Sequence, residues 1–177
     1  MNKNTLDDLK TRRSIRSFKP DQIKDADLDI ILEVGTWAPS GGGRQSAVIV
    51  SIQDKAIVDK LEKLNAEVMG DASKKPFYGA PMVVAVLADK TISPNTYVED
   101  GSLVLGNLQY AAYAKGIGSC WIHRAKEVFS SDEGKALLKQ WGLSENLTGV
   151  GFCILGYASE DAPEPKARKA DYIMKIK

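Results

Sequence analysis

Met82-Val83-Val84-Ala85-Val86-Leu87-Ala88 is a continuous apolar run with no polar residue alternating through it. A strand with one wet face alternates; an unbroken run reads as a strand buried on both faces. It is also far short of the ~20 residues needed to span a bilayer, as is every other apolar run in the chain. The segments around it fit a central sheet. Ala47 to Ile52 is β-branched and reads as a second strand, Ser119 to Ile122 as a short one, and Gly149 to Tyr157 as another buried one.

Helical spacing fills the intervals. Thr5 to Arg13 reads as a short helix capped by Thr5, with Asp7 and Asp8 in its positive first turn and basic residues in its last. Asp25 or Asp27 is placed to cap a second helix running to about Trp37, which Pro39 ends. Asp54 is placed to cap a third, with Val58, Leu61, Leu64 and Val68 on its inner face. Val98 to Lys115 is the longest helix and is dense in small residues, which suits a helix packed closely in a core or a subunit interface; Gly116 caps it. Ser131 or Asp132 opens a last helix closed by Gly142. The predicted class is α+β, one domain over 1–177, with a central sheet covered by helices.

Composition narrows the function. In 177 residues, Lys plus Arg number 24 and Asp plus Glu 23, a formal net charge of +1. That balance argues against a general nucleic-acid binder. One histidine and two cysteines cannot make a four-ligand Cys/His zinc site, so no metal is expected. Cys120 and Cys153 lie far apart in apolar runs and read as buried thiols in a reducing compartment. Met1 to Arg16 lacks the apolar stretch of a signal peptide, so a cytoplasmic protein without membrane attachment is expected.

Four stretches could carry chemistry. Arg12-Arg13-Ser14-Ile15-Arg16 concentrates three guanidinium groups at a helix end, either to grip an anion or simply to cap the helix. Lys166 and Arg168 form a second basic cluster behind two prolines, and the two clusters together suggest an anion pocket closed by both chain ends. Pro39-Ser40-Gly41-Gly42-Gly43 is a loop able to lie against a flat ligand, and matches neither a P-loop nor a dinucleotide fingerprint. Cys120 and His123 invite a thiol–imidazole reading, but three-residue spacing on a strand puts their side chains on opposite faces.

In order along the chain, Arg12 to Arg16, Ala38-Pro39-Ser40-Gly41, Pro76-Phe77-Tyr78-Gly79-Ala80-Pro81, Gly118 to Ile122, and Gly156-Tyr157 followed by Lys166 to Lys169 resemble the nitroreductase family of FMN-dependent oxidoreductases. The resemblance implies a three-layer sandwich, mainly antiparallel, and an intertwined homodimer with FMN at the interface. It implies that Arg12, Arg13, Ser14 and Arg16 contact flavin or phosphate, that Lys166 and Arg168 hold the phosphate, and that Pro39, Ser40, Gly41 and Gly43 reach in from the partner. Ile122, His123 and Arg124 would lie beside the flavin ring, where a backbone N–H meets N5, and Asn65 at its pyrimidine edge. Arg16 and Lys166 would stabilise negative charge on the reduced flavin and the phosphate. The chemistry would be the flavin's, with no catalytic side chain. NADH or NADPH would deliver hydride, and a nitroaromatic, quinone or similar small-molecule acceptor would take it up in a ping-pong cycle. Relatives usually carry Asn at Gly43, and Gln-Pro-Trp where this chain has Gln45-Ser46-Ala47; the difference bears on substrate specificity. Two other readings stand beside this one. The first is a flavin-binding relative serving in flavin storage, dehalogenation or dehydrogenation. The second is a thiol-dependent hydrolase using Cys120 and His123.

Overall fold

The structure is a computed structural model that describes residues 5–177. Ten elements follow one another: α1 (Thr5–Thr11), α2 (Asp25–Thr36), β1 (Ala47–Ile52), α3 (Lys55–Val68), β2 (Met82–Asp89), α4 (Tyr97–Ala114), β3 (Gly118–Ile122), α5 (Ala125–Ser130), α6 (Asp132–Gln140) and β4 (Leu147–Gly156). The four strands form one sheet in the order β1-β2-β4-β3, and each neighbouring pair is antiparallel. The expected α+β sandwich with a mainly antiparallel sheet is the observed fold.

The apolar run Met82 to Ala88 occupies β2, inside the sheet, and its two faces serve two cores. Val83, Ala85 and Leu87 pack with Leu61 of α3, Phe129 of α5 and Leu137 of α6. Met82, Val84, Val86 and Ala88 pack with Ile31 of α2 and with Leu105 and Leu108 of α4. Helices therefore cover both faces, which is why no position in the strand is polar. Every one of these strand side chains is fully buried.

The small residues of α4 have a specific cause. The β2–β4 register slips between Val86, opposite Gly151, and Leu87, opposite Gly149, leaving Val150 as an extra residue. Gly101 lies over this bulge, and a Cβ there would come within 2.6 Å of Val150 Cγ2. Gly35 of α2 likewise admits Leu108 of α4, 2.8 Å from where its Cβ would stand. Gly116, beyond the end of α4, has φ +74° and returns its N–H to Tyr113, as a helix stop requires.

Several local expectations need correction. Asp54 caps α3 through the N–H of Ile57 (3.0 Å), as expected, but Lys24 occupies the cap position of α2 and makes no side-chain cap bond. Asp25 and Asp27 sit inside the first turn, where they face the positive helix end. Asp27 also pairs with Lys115 at the end of α4 (2.8 Å). Val68 is exposed, and Asn65 is buried in its place on α3. Helix α5 was not expected; its N-cap, Arg124, has a left-handed backbone that no residue type signals. Thr5 lies within α1, and the residue before it is outside the described residues.

Beyond β4 the chain leaves the sheet. Tyr172, Ile173, Met174 and Ile176 are exposed and belong to no strand. The chain exposes 10,682 Å², about a quarter more than the roughly 8,500 Å² typical of a folded chain of this mass. The exposed tail contributes to the excess, with exposed apolar side chains on α1, α2 and α4. Among the described residues no helix is long and apolar enough to cross a membrane.

Candidate functional site

The segment after α1 lies against the sheet beside β3. Ser14 bridges Ser119, the N–H of Ile15 donates to the Ser119 carbonyl (3.0 Å), and Phe18 bridges Ala158. Three cavities adjoin along it. The first, about 270 Å³, has Arg12, Arg13 and Ser119 in its wall. The second, about 270 Å³, has Ser14 and Arg16 and shares Ile15, Glu160 and Asp161 with the first. The third, about 280 Å³, shares Arg16 and is lined by Tyr78, Ile122, His123 and Arg124. Five residues of extended backbone reach about 13 Å. The arrangement suits an elongated ligand with different chemistry at its two ends.

At one end, where Glu160 and Asp161 also line the wall, buried polar atoms lack partners. The Arg12 guanidinium stands over the Tyr110 ring at 5.6 Å, and its Nη1 is buried without a hydrogen-bond partner. Ser119 Oγ, in the same wall, is buried and unpartnered too; Asp8 Oδ1 is the third such atom. Orphaned buried donors are rare in native proteins and point to a ligand that completes them. Arg13 differs, since its Nη1 donates to the carbonyls of Lys10 (2.9 Å) and Arg12 (2.8 Å), closing the end of α1. Lys166 and Arg168 are exposed in the tail and do not join this wall.

The other end is built around Asn65. This fully buried side chain donates from Nδ2 to the His123 carbonyl (2.7 Å) and accepts at Oδ1 from Arg124 Nε (3.0 Å). Arg124 has φ +75°, so the backbone turns sharply as β3 ends. Across the cavity stands Tyr78, also left-handed at φ +54°, with the Arg16 guanidinium 5.9 Å from its ring. The Tyr78 loop is pinned from both sides. Glu62 Oε1 accepts the Phe77 N–H (2.8 Å), and Gln22 Nε2 donates to the Pro81 carbonyl (2.8 Å). Left-handed non-glycine residues cost of order 1 kcal/mol or more and concentrate at functional sites. Tyr78, Lys74 and Lys75 were not among the expected site residues. The quoted motif contains Tyr78, but only its backbone angle and the facing arginine show its place.

The glycine loop lies elsewhere. Pro39 and Ser40 line a separate cavity of about 330 Å³ with Asp100, at the β1 edge of the sheet. From there to β3 is three strand spacings, about 14 Å. Buried Asp100 accepts from the Gly41 N–H (2.8 Å) and Ser46 Oγ (2.7 Å). Burial, the largest influence, would raise its pKa; the bonds from Gly41, Ser46, Ser93 and Thr96 together outweigh it and hold the carboxyl below its ordinary value. A Cβ at Gly41 would strike the Thr96 hydroxyl, whereas Gly43, at φ +68°, has open space around it.

The thiol pair does not assemble. Cys120 is buried and lines the third cavity along with His123, but its Sγ–H donates to the Trp121 carbonyl (3.5 Å) and no hydrogen bond joins it to His123 among the described residues. Burial pushes the Cys153 thiol far up. Both cysteines are free, and no group of acidic, His or Cys side chains among the described residues could hold a metal.

Residues 9–157 match the model of the nitroreductase family. The chain belongs to the nitroreductase family. It is 32% identical over 155 residues to a protein of Archaeoglobus fulgidus named, provisionally, an NADH dehydrogenase/NAD(P)H nitroreductase, covering 85% of this chain and 83% of that one. Its fold matches a nitroreductase with bound FMN from Bacteroides fragilis at TM-score 0.88 and 27% identity, covering 99% and 100% of the two chains. It also matches one with bound FMN from Desulfitobacterium hafniense at TM-score 0.86 and 25% identity, covering all of both chains. This family member is therefore an α+β oxidoreductase-type fold whose similar structures hold FMN.

Proposed function

We propose that this nitroreductase-family chain is an FMN-dependent oxidoreductase that passes electrons from NAD(P)H to nitroaromatic, quinone or similar acceptors in a ping-pong cycle. The observation that carries the reading is the row of three cavities along Arg12 to Arg16, with an unpartnered buried guanidinium nitrogen at one end and the Asn65–Arg124 assembly at the other. FMN has the matching form, a phosphate and a planar ring joined by a flexible chain. When bound, FMN supplies hydride and electron transfer, and the protein binds and orients it.

Each residue then has a task. Arg12 supplies charge-assisted hydrogen bonds to the phosphate, and Ser119 a hydroxyl beside it. Ser14 faces the connecting chain. Arg16 places positive charge where negative charge accumulates on reduction. Ile122, His123 and Arg124 present backbone and side chain to the ring, with Asn65 holding their geometry. Lys166 and Arg168, outside this wall within one chain, would join the phosphate grip only once the tail packs against a second copy.

The reading includes a homodimer. Pro39, Ser40, Gly41 and Gly43 are too far from β3 to serve the same chain's site, and the exposed apolar tail has no partner surface within its own chain. A second copy supplies both. The whole of 1–177 acts as one flavin-binding domain, and two free buried thiols suit the cytoplasm.

The test is direct. The purified protein is expected to be yellow, to release FMN on heating, to run as a dimer in light scattering, and to oxidise NADH or NADPH when a quinone or nitro compound is added. A colourless protein with no affinity for added FMN would refute the assignment. Flavin uptake without nicotinamide oxidation would favour flavin storage.

A further inference from the structure

The third cavity holds more positive charge than a flavin ring requires. Arg16, Lys74, Lys75 and Arg124 all line it, and no carboxylate does. The lysines are exposed at the rim, each with an acid 3.7 Å away (Asp71 and Glu62), so their charge is partly balanced. Neither arginine forms an ion pair among the described residues, although Arg16 shares the adjoining second cavity with Glu160 and Asp161. Arg16 lies over an aromatic ring, and Arg124 bonds only to the neutral amide of Asn65.

Arg124 is the better oriented of the two. Its Nε is fixed at 3.0 Å by a side chain with no solvent exposure, and its left-handed backbone sets where the side chain starts. A guanidinium held by Nε leaves its two terminal nitrogens as a planar fork, the arrangement that matches a carboxylate or phosphate with two parallel bonds. Neither terminal nitrogen of Arg124 has a partner among the described residues.

We propose that Arg124, oriented by Asn65, recognises an anionic group, a carboxylate or phosphate, on the small molecule that docks in this cavity. The inference rests on the flavoenzyme reading for what that molecule is: the electron acceptor, or the nicotinamide donor through its extra phosphate. Asn65 is a positioning residue here, and the lysines add an attractive field at the entrance that salt screens.

The experiment compares ligands matched in shape but not in charge. With FMN-loaded protein, benzoate and benzamide are titrated while the imidazole proton signal of His123, the chain's one histidine, is followed by NMR. In parallel, kcat/KM is measured for 4-nitrobenzoate against 4-nitrobenzamide and for NADPH against NADH. The wild type is expected to favour the charged member of at least one pair by about tenfold, the value of one charge-assisted contact. In FMN-saturated Arg124→Gln the ratio of kcat/KM for the charged to the uncharged compound should fall to about one, whatever the variant's absolute rate, and Arg124→Lys should restore part of that ratio. The pair that shows the effect identifies acceptor or donor as the source. Equal handling of both pairs by the wild type, or a charged-to-uncharged ratio unchanged in FMN-saturated Arg124→Gln, would each overturn the proposal. A wild type that takes up no FMN fails the parent reading, and the benzoate titration of the flavin-free protein still decides the anion fork.

Discussion

Asn65 and Arg124, 59 positions apart in the chain, meet through an Oδ1–Nε hydrogen bond of 3.0 Å that joins helix α3 to the end of strand β3. The same amide satisfies the carbonyl of His123, so one buried side chain fixes both the backbone and the charge at the head of the cavity. Replacing it by alanine leaves that carbonyl and the Arg124 Nε unpaired. Asn65→Ala is expected to lower unfolding stability by roughly 2–3 kcal/mol, read from urea midpoints. FMN affinity should fall with it. An unchanged midpoint would show that the bond is not formed in solution.

The two neighbouring arginines differ in what engages them within the chain. Arg12 has a buried nitrogen with no partner, whereas an Arg13 nitrogen closes the end of α1. Arg12→Ala should weaken FMN binding by about 10- to 100-fold, in line with losing one or two charged contacts. Arg13→Ala should change it by less than about threefold and should chiefly loosen α1. Fluorescence quenching of FMN on titration measures both, and the reverse ranking would sink the assignment of Arg12 to the phosphate.

Asp100 ties stability to acid. Its folded carboxyl lies below its ordinary value of 3.8, so the unfolded chain binds its proton first as pH falls. The stabilisation from its ionised form is therefore complete above that value and is lost as pH drops through the lower folded one. Asp100→Asn should be less stable than wild type at neutral pH, and the gap should narrow as pH falls below about 4. A gap independent of pH would mean the carboxylate is not the responsible species.

Two glycines of α4 make opposite predictions. Gly101→Ala forces a methyl against Val150 at the β4 bulge and should cost about 1–3 kcal/mol. Gly106 has nothing within 4 Å, and Gly106→Ala should be neutral or stabilise by up to about 1 kcal/mol through the unfolded state. Thermal midpoints of the pair decide the point.

Glycine and alanine positions in α4, read as a sign of close packing, show how far sequence carries. It marks a helix that must approach something closely, but the object approached, a bulge created by one extra residue in β4, depends on the β2–β4 register. Asn65 could be placed in the site only by resemblance, since its partners belong to residues 123 and 124. Helix α5 could not be read at all, because it is one short stretch whose start is a left-handed arginine.

Local patterning in the chain is enough to predict the layers. Hydrophobic period is a local property, and an unbroken apolar run such as Met82 to Ala88 has to be covered on both faces wherever it lies. The arginine cluster along the cavities was legible in the same way, whereas the place of the glycine loop was not. Which of those groups are engaged follows from packing between distant elements. Whether an arginine closes a helix, lies unpartnered beside a buried hydroxyl, or is turned into a cavity by a distant amide depends on neighbours from other elements. Those neighbours are set by register and packing, and residue type does not encode them.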